Sequence, residues 1–200
     1  MCFWFLVVEE RNEDEVIDGN RKRLKPGNVS PRRPVPFNIN KPPYVESFTV
    51  PGISSGLQIH DKKGIESMRA SGRLAARVRE YAGTLVKPGV TTDEIDEAIH
   101  NKIIENGAYV SLKCLLLVNP KSNIDATVYL NGYRGDTSAT FFCGDVDEKA
   151  KKLFQVTKES LEKAISICGP GFEYKKIGKT IHGRLFTNCN WFLEKGDNTI

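Results

Sequence analysis

A chain of 200 residues with 40% hydrophobic content can bury one good core, which argues against a disordered chain and for one domain or slightly more. Lysine and arginine outnumber aspartate and glutamate by only 29 to 25, and the excess sits largely in Arg21, Lys22, Arg23, Lys25, Arg32 and Arg33, so a broad basic face for nucleic acid is not expected. Five cysteines (Cys2, Cys114, Cys143, Cys168 and Cys189) form no close pair, which fits neither a disulfide framework nor a zinc knuckle and suits a reducing compartment.

The opening MCFWFLVV is short, lacks a basic flank and runs into the acidic EERNEDE, so it reads as neither a signal peptide, a membrane span nor a transit peptide. From about Lys25 to Pro51 the prolines remove donors and disfavour helix, which predicts an extended arm or linker. Its PxxP-like spacing leaves two readings open, a ligand for a proline-reading domain or a tail packed on its own domain.

Asp61 then stands as an N-cap before a helix whose apolar face carries Ile65, Met68, Leu74, Val78, Ala82 and Leu85, until Lys87-Pro88-Gly89 stops it. A second helix follows, with Thr91 and Glu94 placed for a capping box, Ile95, Ile99 and Ile103 as its stripe and Asn106-Gly107 as its end. The run LLLV at Leu115 to Val118 is far below membrane-spanning length and reads as a buried strand or a spliced join.

Asn131-Gly132 between NIDATVYL and YRGDTSATFF is a strong hairpin signal, because a type I′ turn requires positive φ at both central residues. With Leu130 opposite Tyr133, Thr127 falls opposite Asp136, and the two-residue period puts Asp125 on the same face. Asp125 and Asp136 then become diagonal neighbours, roughly 7–8 Å apart at the backbone, a gap that two carboxylates and one or two cations would fill. Like charges on one face repel and strands disfavour Asp, so a bound divalent ion would offset both costs; the competing reading is a polar solvent-facing strand. The Arg134-Gly135-Asp136 tripeptide is read as accidental, since no secretory signal accompanies it.

A third helix is predicted over Asp147 to Cys168, and Gly169-Pro170-Gly171 separates it from a fourth in FEYKKIGKTIHGRL. Pro88-Gly89 and Pro170-Gly171, 82 residues apart, are followed at equal offsets by Ile95, Ile99, His100 and by Ile177, Ile181, His182, which suggests two like units in one pseudo-symmetric domain. His100 and His182 are read as structural, and Cys143 (in a strand) and Cys168 (at a helix end) as small core residues.

NIDATVYLNGYRGDTSATFF resembles the paired-aspartate segment of type I methionine aminopeptidases, an IDVT strand followed by G-[FY]-HGD-[TS]. KPGVTTDEID, the arm KPGNVSPRRPVP through KPPYV, PGISSG and RASGRLAARVREYAGTLVKPG are similar to the same family, in its plant organellar forms particularly. The resemblance covers most of residues 21 to 182. It implies an α+β, pita-bread fold, here incomplete, with helix pairs around an antiparallel sheet. It also implies two divalent ions (Co, Mn, Zn, Fe or Mg) held by two Asp, one His and two Glu, where they would activate water and polarise a carbonyl. Asp125 matches the terminal ligand and Asp136 the bridging one, and no other residue of this chain matches the set.

Where the family continues into an LGY-containing pocket segment, PKSV and CHGIP, this chain has VSLKCLLLVNPKS, and after His182 it departs again, with Arg134 standing where the family has His. The expected organisation is therefore a largely non-globular extension and arm over 1–56, a partial aminopeptidase-like domain over 57–182 and a divergent tail over 183–200, as from a truncated or aberrantly spliced product. The expected function is that of an initiator-methionine aminopeptidase with little or no activity, the alternatives being a non-catalytic binding protein or an unstable fragment. The family implies nascent polypeptide N-termini as partners, the non-catalytic alternative would bind a partner such as the ribosome, and charge and hydropathy point to no nucleic acid and no membrane. The family points to plastid or mitochondrion, whereas the N-terminus points to cytosol.

Overall fold

The computed structural model describes residues 30–47, 58–110 and 121–183, the side chains of 46, 47, 121 and 122 excepted. Two compact units are distinguished, residues 29–151 and a second made of 1–28 with 152–200. Lys25 to Val29, Phe48 to Pro51, LLLV at 115–118 and the tail beyond Gly183 lie outside the described residues.

In the first unit α2 (Lys62–Leu85) starts at Asp61, whose carboxylate accepts a hydrogen bond from the Gly64 N–H at 2.7 Å. α3 (Thr92–Glu105) starts at a complete capping box, in which the Thr91 hydroxyl accepts from the Glu94 N–H and the Glu94 carboxylate accepts from the Thr91 N–H. A three-stranded antiparallel sheet follows, in the order β1 (Tyr109–Val110), β2 (Lys121–Leu130) and β3 (Tyr133–Phe142). The turn between β2 and β3 has Asn131 at φ 53° and Gly132 at φ 85°, the positive pair that the Asn-Gly dipeptide predicts. Register is also as read from sequence, with Leu130 opposite Tyr133 and Thr127 opposite Asp136.

The core joins these pieces: Leu74, Ala75, Val78 and Ala82 of α2, Ile95, Ile99 and Ile103 of α3, Ala108, and Ile124, Ala126 and Val128 of β2. Helix and hairpin approach very closely, because a Cβ added at Gly135 would overlap the Ser71 carbonyl. Buried Ser71 donates to the Tyr133 carbonyl at 2.9 Å, and Arg79 donates to the Thr137 hydroxyl at 2.7 Å. The helix face differs here from the expected one. Ile65 and Met68 are each 41% exposed, while Gly64 and Ser71 are buried, because at this separation only small residues fit against the strands.

The arm follows one of the two readings its sequence left open, a tail packed on its own domain, though it is not extended throughout. Residues 30–36 have no regular structure, but a turn follows at Phe37–Ile39, and α1 (Tyr44–Ser47) forms after Pro42-Pro43. Ile39 and Pro42 are buried. Arg33 donates to Asp96 at 2.6 Å and lies within ion-pair distance of Asp93 and Glu97, Arg32 donates to the Tyr109 hydroxyl, and Ser30 donates to Asp93 at 2.6 Å. A ring nitrogen of His100 lies 3.1 Å from the Pro34 carbonyl, so His100 is satisfied structurally.

α4 (Glu148–Ser166) begins where the Asp147 carboxylate accepts from the Ala150 N–H, and within the second unit it buries Val156, Ser160 and Ala164 at four-residue intervals. Residues 175–183 are helical. Cys143 falls just past β3 and is half-buried, and Cys168 is exposed with its thiol on the Ala164 carbonyl, so neither is the core residue expected. An apolar side chain at a segment boundary carries no period to say which way it points. No helix among the described residues is long and apolar enough to cross a membrane.

Gly135→Ala should destabilise the chain by about 1–3 kcal/mol, because backbone rather than a movable side chain occupies the space. Gly72→Ala, on the exposed side of α2 with open space around it, should stabilise by about 0.5–1 kcal/mol. Urea unfolding with unchanged slope checks both.

Candidate metal centre

The hairpin has two unlike faces. Ile124, Ala126, Val128, Tyr133 and Gly135 lie on the α2 side, and the period of two sends Asp125, Thr127, Arg134, Asp136 and Ser138 to the other. Asp125 pairs with Ser138 and Asp136 with Thr127, so the carboxylates are diagonal neighbours on one face, as the sequence register predicts.

Asp125 is half-buried and Asp136 exposed. Burial pushes the Asp125 carboxyl above the ordinary carboxylate range, and the Asp136 charge and a hydrogen bond with Asp136 push it the same way. Asp136 also accepts from the buried Thr127 hydroxyl at 2.8 Å. The guanidinium of Arg134 lies 4.4 Å from the centre of the Tyr44 ring, a cation–π contact with the arm. The register alone identifies Thr127 as the residue facing Asp136, but nothing in the sequence indicates Tyr44, which is brought in by non-local packing.

The oxygens of Asp125 and Asp136 suit a hard divalent cation. They do not by themselves fit a two-metal centre, because no group of three or more His, Cys, Asp or Glu able to hold an ion occurs among the described residues. The histidines are engaged elsewhere where their contacts are described: His60 packs edge-on against Tyr133, and His100 faces the arm.

An aspartate pair facing away from its covering helices, on an antiparallel hairpin, belongs to a known class of fold. The model of metallopeptidase family M24 matches residues 121–193. A methionine aminopeptidase from Rickettsia prowazekii superposes with a TM-score of 0.62 at 31% identity, over 66% of this chain and 63% of that one. A variant of Escherichia coli aminopeptidase P gives a TM-score of 0.62 at 20% identity, over 68% and 36%, a likeness of fold alone. The fold is the pita-bread fold of these metallopeptidases, present in part.

Within that class the chain is a homologue of the type I methionine aminopeptidases of plant organellar type. It is 70% identical to methionine aminopeptidase 1D, chloroplastic/mitochondrial, of Arabidopsis thaliana, over 88% of this chain and 57% of the relative. It is 51% identical to methionine aminopeptidase 1C, chloroplastic/mitochondrial, of the same plant, over 87% and 58%. The chain thus spans a little over half the length of these relatives. Both alignments run over 201 residues while using less than nine tenths of a 200-residue chain, so the relatives carry residues inside the matched region that this chain lacks.

The raised Asp125 group gives a signed pH dependence. A carboxyl that holds its proton more tightly when folded destabilises the fold as pH rises from the ordinary Asp range through the folded value. Asp125→Asn should therefore raise the melting temperature at neutral pH, and the advantage should shrink as pH falls through that window. Paired thermal melts across pH in metal-free buffer check this.

Proposed function

We propose that this chain holds one divalent cation weakly between Asp125 and Asp136 and releases little or no N-terminal methionine. The observation that supports this reading is that no third His, Cys, Asp or Glu groups with the pair among the described residues. A divalent ion in a metallopeptidase supplies a Lewis acid and a more acidic water. In this chain Asp125 and Asp136 would hold it, and the Thr127 hydroxyl would keep Asp136 oriented.

The residues present in the relatives and lacking here fit the break in resemblance between Val110 and Asn123, where the family's pocket segment and CHGIP motif would stand. Without a methionine pocket and without a positioned group to take up a proton, turnover should fall by roughly 100- to 10,000-fold for the missing acid–base step alone. The physiological substrates, by kinship, are nascent polypeptide N-termini, and the compartment is a plastid or mitochondrion, a reading supported by the chloroplastic/mitochondrial names of the relatives. A second reading, a non-catalytic protein binding a partner such as the ribosome, is favoured by the arm, which Arg33 fixes as a defined surface.

The deciding assay is hydrolysis of a Met-Ala-Ser peptide with added Co²⁺ or Mn²⁺, beside Asp136→Ala and a Mn²⁺ titration followed by electron paramagnetic resonance. Methionine release at the level of the variant is expected, with weak Mn²⁺ binding that the variant loses. Metal-dependent release abolished by Asp136→Ala would overturn the proposal.

A further inference from the structure

We propose that Ser30 is a phosphorylation site for a proline-directed protein kinase, and that the phosphate releases residues 30–36 from α3. Ser30-Pro31 is the only Ser-Pro or Thr-Pro pair in the chain, and Arg32 and Arg33 follow it at once. Proline directly after the serine and arginine three positions on are features such kinases read in an extended segment, and residues 30–36 have no regular structure.

The geometry gives the modification a consequence. The Ser30 hydroxyl donates to Asp93 at 2.6 Å, and Arg33 three residues on is held by Asp96, Asp93 and Glu97. In the transfer, Ser30 Oγ bonds to the γ-phosphorus of a nucleoside triphosphate, the bond from that phosphorus to its bridging oxygen breaks, the diphosphate leaves, and the hydroxyl proton passes to the kinase. The hydroxyl donor to Asp93 is then gone, which leaves the backbone N–H as Ser30's only donor to that carboxylate. In its place stands a group of charge about −1.5 to −2, facing the carboxylate of Asp93, with Asp96 and Glu97 a turn further along the same helix.

The helix dipole at the start of α3 favours an anion, but Asp93 and Glu94 already occupy that first turn. The cations able to neutralise the phosphate, Arg32 and Arg33, belong to the arm, so they pair with it and leave α3 along with it. Ile39 and Pro42 are buried, which confines the release to the part before the Phe37–Ile39 turn. A kinase reaches the half-buried Ser30 in the undocked state and prevents its return.

His100 reports the outcome, because its ring nitrogen touches the Pro34 carbonyl and the chain has only three histidines. The full chain is treated with a proline-directed kinase and ATP, the site is read by mass spectrometry, and histidine ring signals are recorded by ¹H–¹⁵N NMR. Arg33→Ala provides the position of His100 with a loosened arm, and Ser30→Glu a second route to the negative charge. Expected are phosphate on Ser30 and a His100 signal moved to the Arg33→Ala position, with His60 unmoved. Absence of phosphate on Ser30, or phosphate there with His100 unmoved, would overturn the proposal.

Discussion

The contact on which the first unit depends is the close passage of α2 over β3, where Gly135 lies against the Ser71 backbone. A side chain at Gly135 would push the helix off the sheet, and the hydrogen bond from Ser71 to the Tyr133 carbonyl marks how near the two backbones lie. Because side chains alternate along a strand, fixing which face of the hairpin meets α2 fixes the other as well. Every residue two positions from Gly135 faces the helix, and Asp136 must face away. The placement of the two aspartates is thus a consequence of a packing contact that neither of them touches.

Placing them there has a cost that the fold does not remove. Asp125 is half-buried beside another carboxylate, and burial together with the Asp136 charge shifts its carboxyl upward. The hydroxyl of Thr127 offsets part of the cost at Asp136. A hairpin with an Asn-Gly turn is a local object, and the aspartate pair is local with it. A two-metal centre is not local, since it draws further ligands from chain segments far away in sequence. The hairpin alone therefore suffices to bring the two aspartates onto one face.

The same distinction decides what is legible in the sequence. The turn, the register, both helix caps and the stripe of Ile95, Ile99 and Ile103 follow from residues close together in the chain, and each stands as read. Hydrophobicity taken as the mark of burial misplaces Ile65 and Met68, because the tight helix–strand contact selects for small size and buries Gly64 and Ser71. Short β1, α1 and the particular partners that dock the arm are not legible, although its packing on its own domain is one of the readings the sequence leaves open. They depend on pairings across tens of residues or on packing, such as Arg33 with Asp96 and Tyr109 with Tyr129, which no periodicity announces. Of the candidate site, the two carboxylates and their shared face are legible; the stacking of Arg134 on Tyr44 is not.

The core also bears on whether so partial a fold can stand. Its buried cluster runs from Leu74 to Val128, entirely within the unit of residues 29–151, and is closed by α2, α3 and β2. Local order along the chain, helix then helix then hairpin, keeps the loops short, so the entropy lost in assembling this core is modest compared with pairing distant strands. The arm adds to it, burying Ile39 and Pro42 and tying its first residues to α3 through Arg33. Among the described residues β3 is an edge strand of the sheet, and the charged residues Arg134 and Asp136 on it are of the kind that discourages edge-to-edge association. Asp136 therefore contributes to what keeps the edge strand from pairing with another chain, in addition to the metal-holding role proposed for it above.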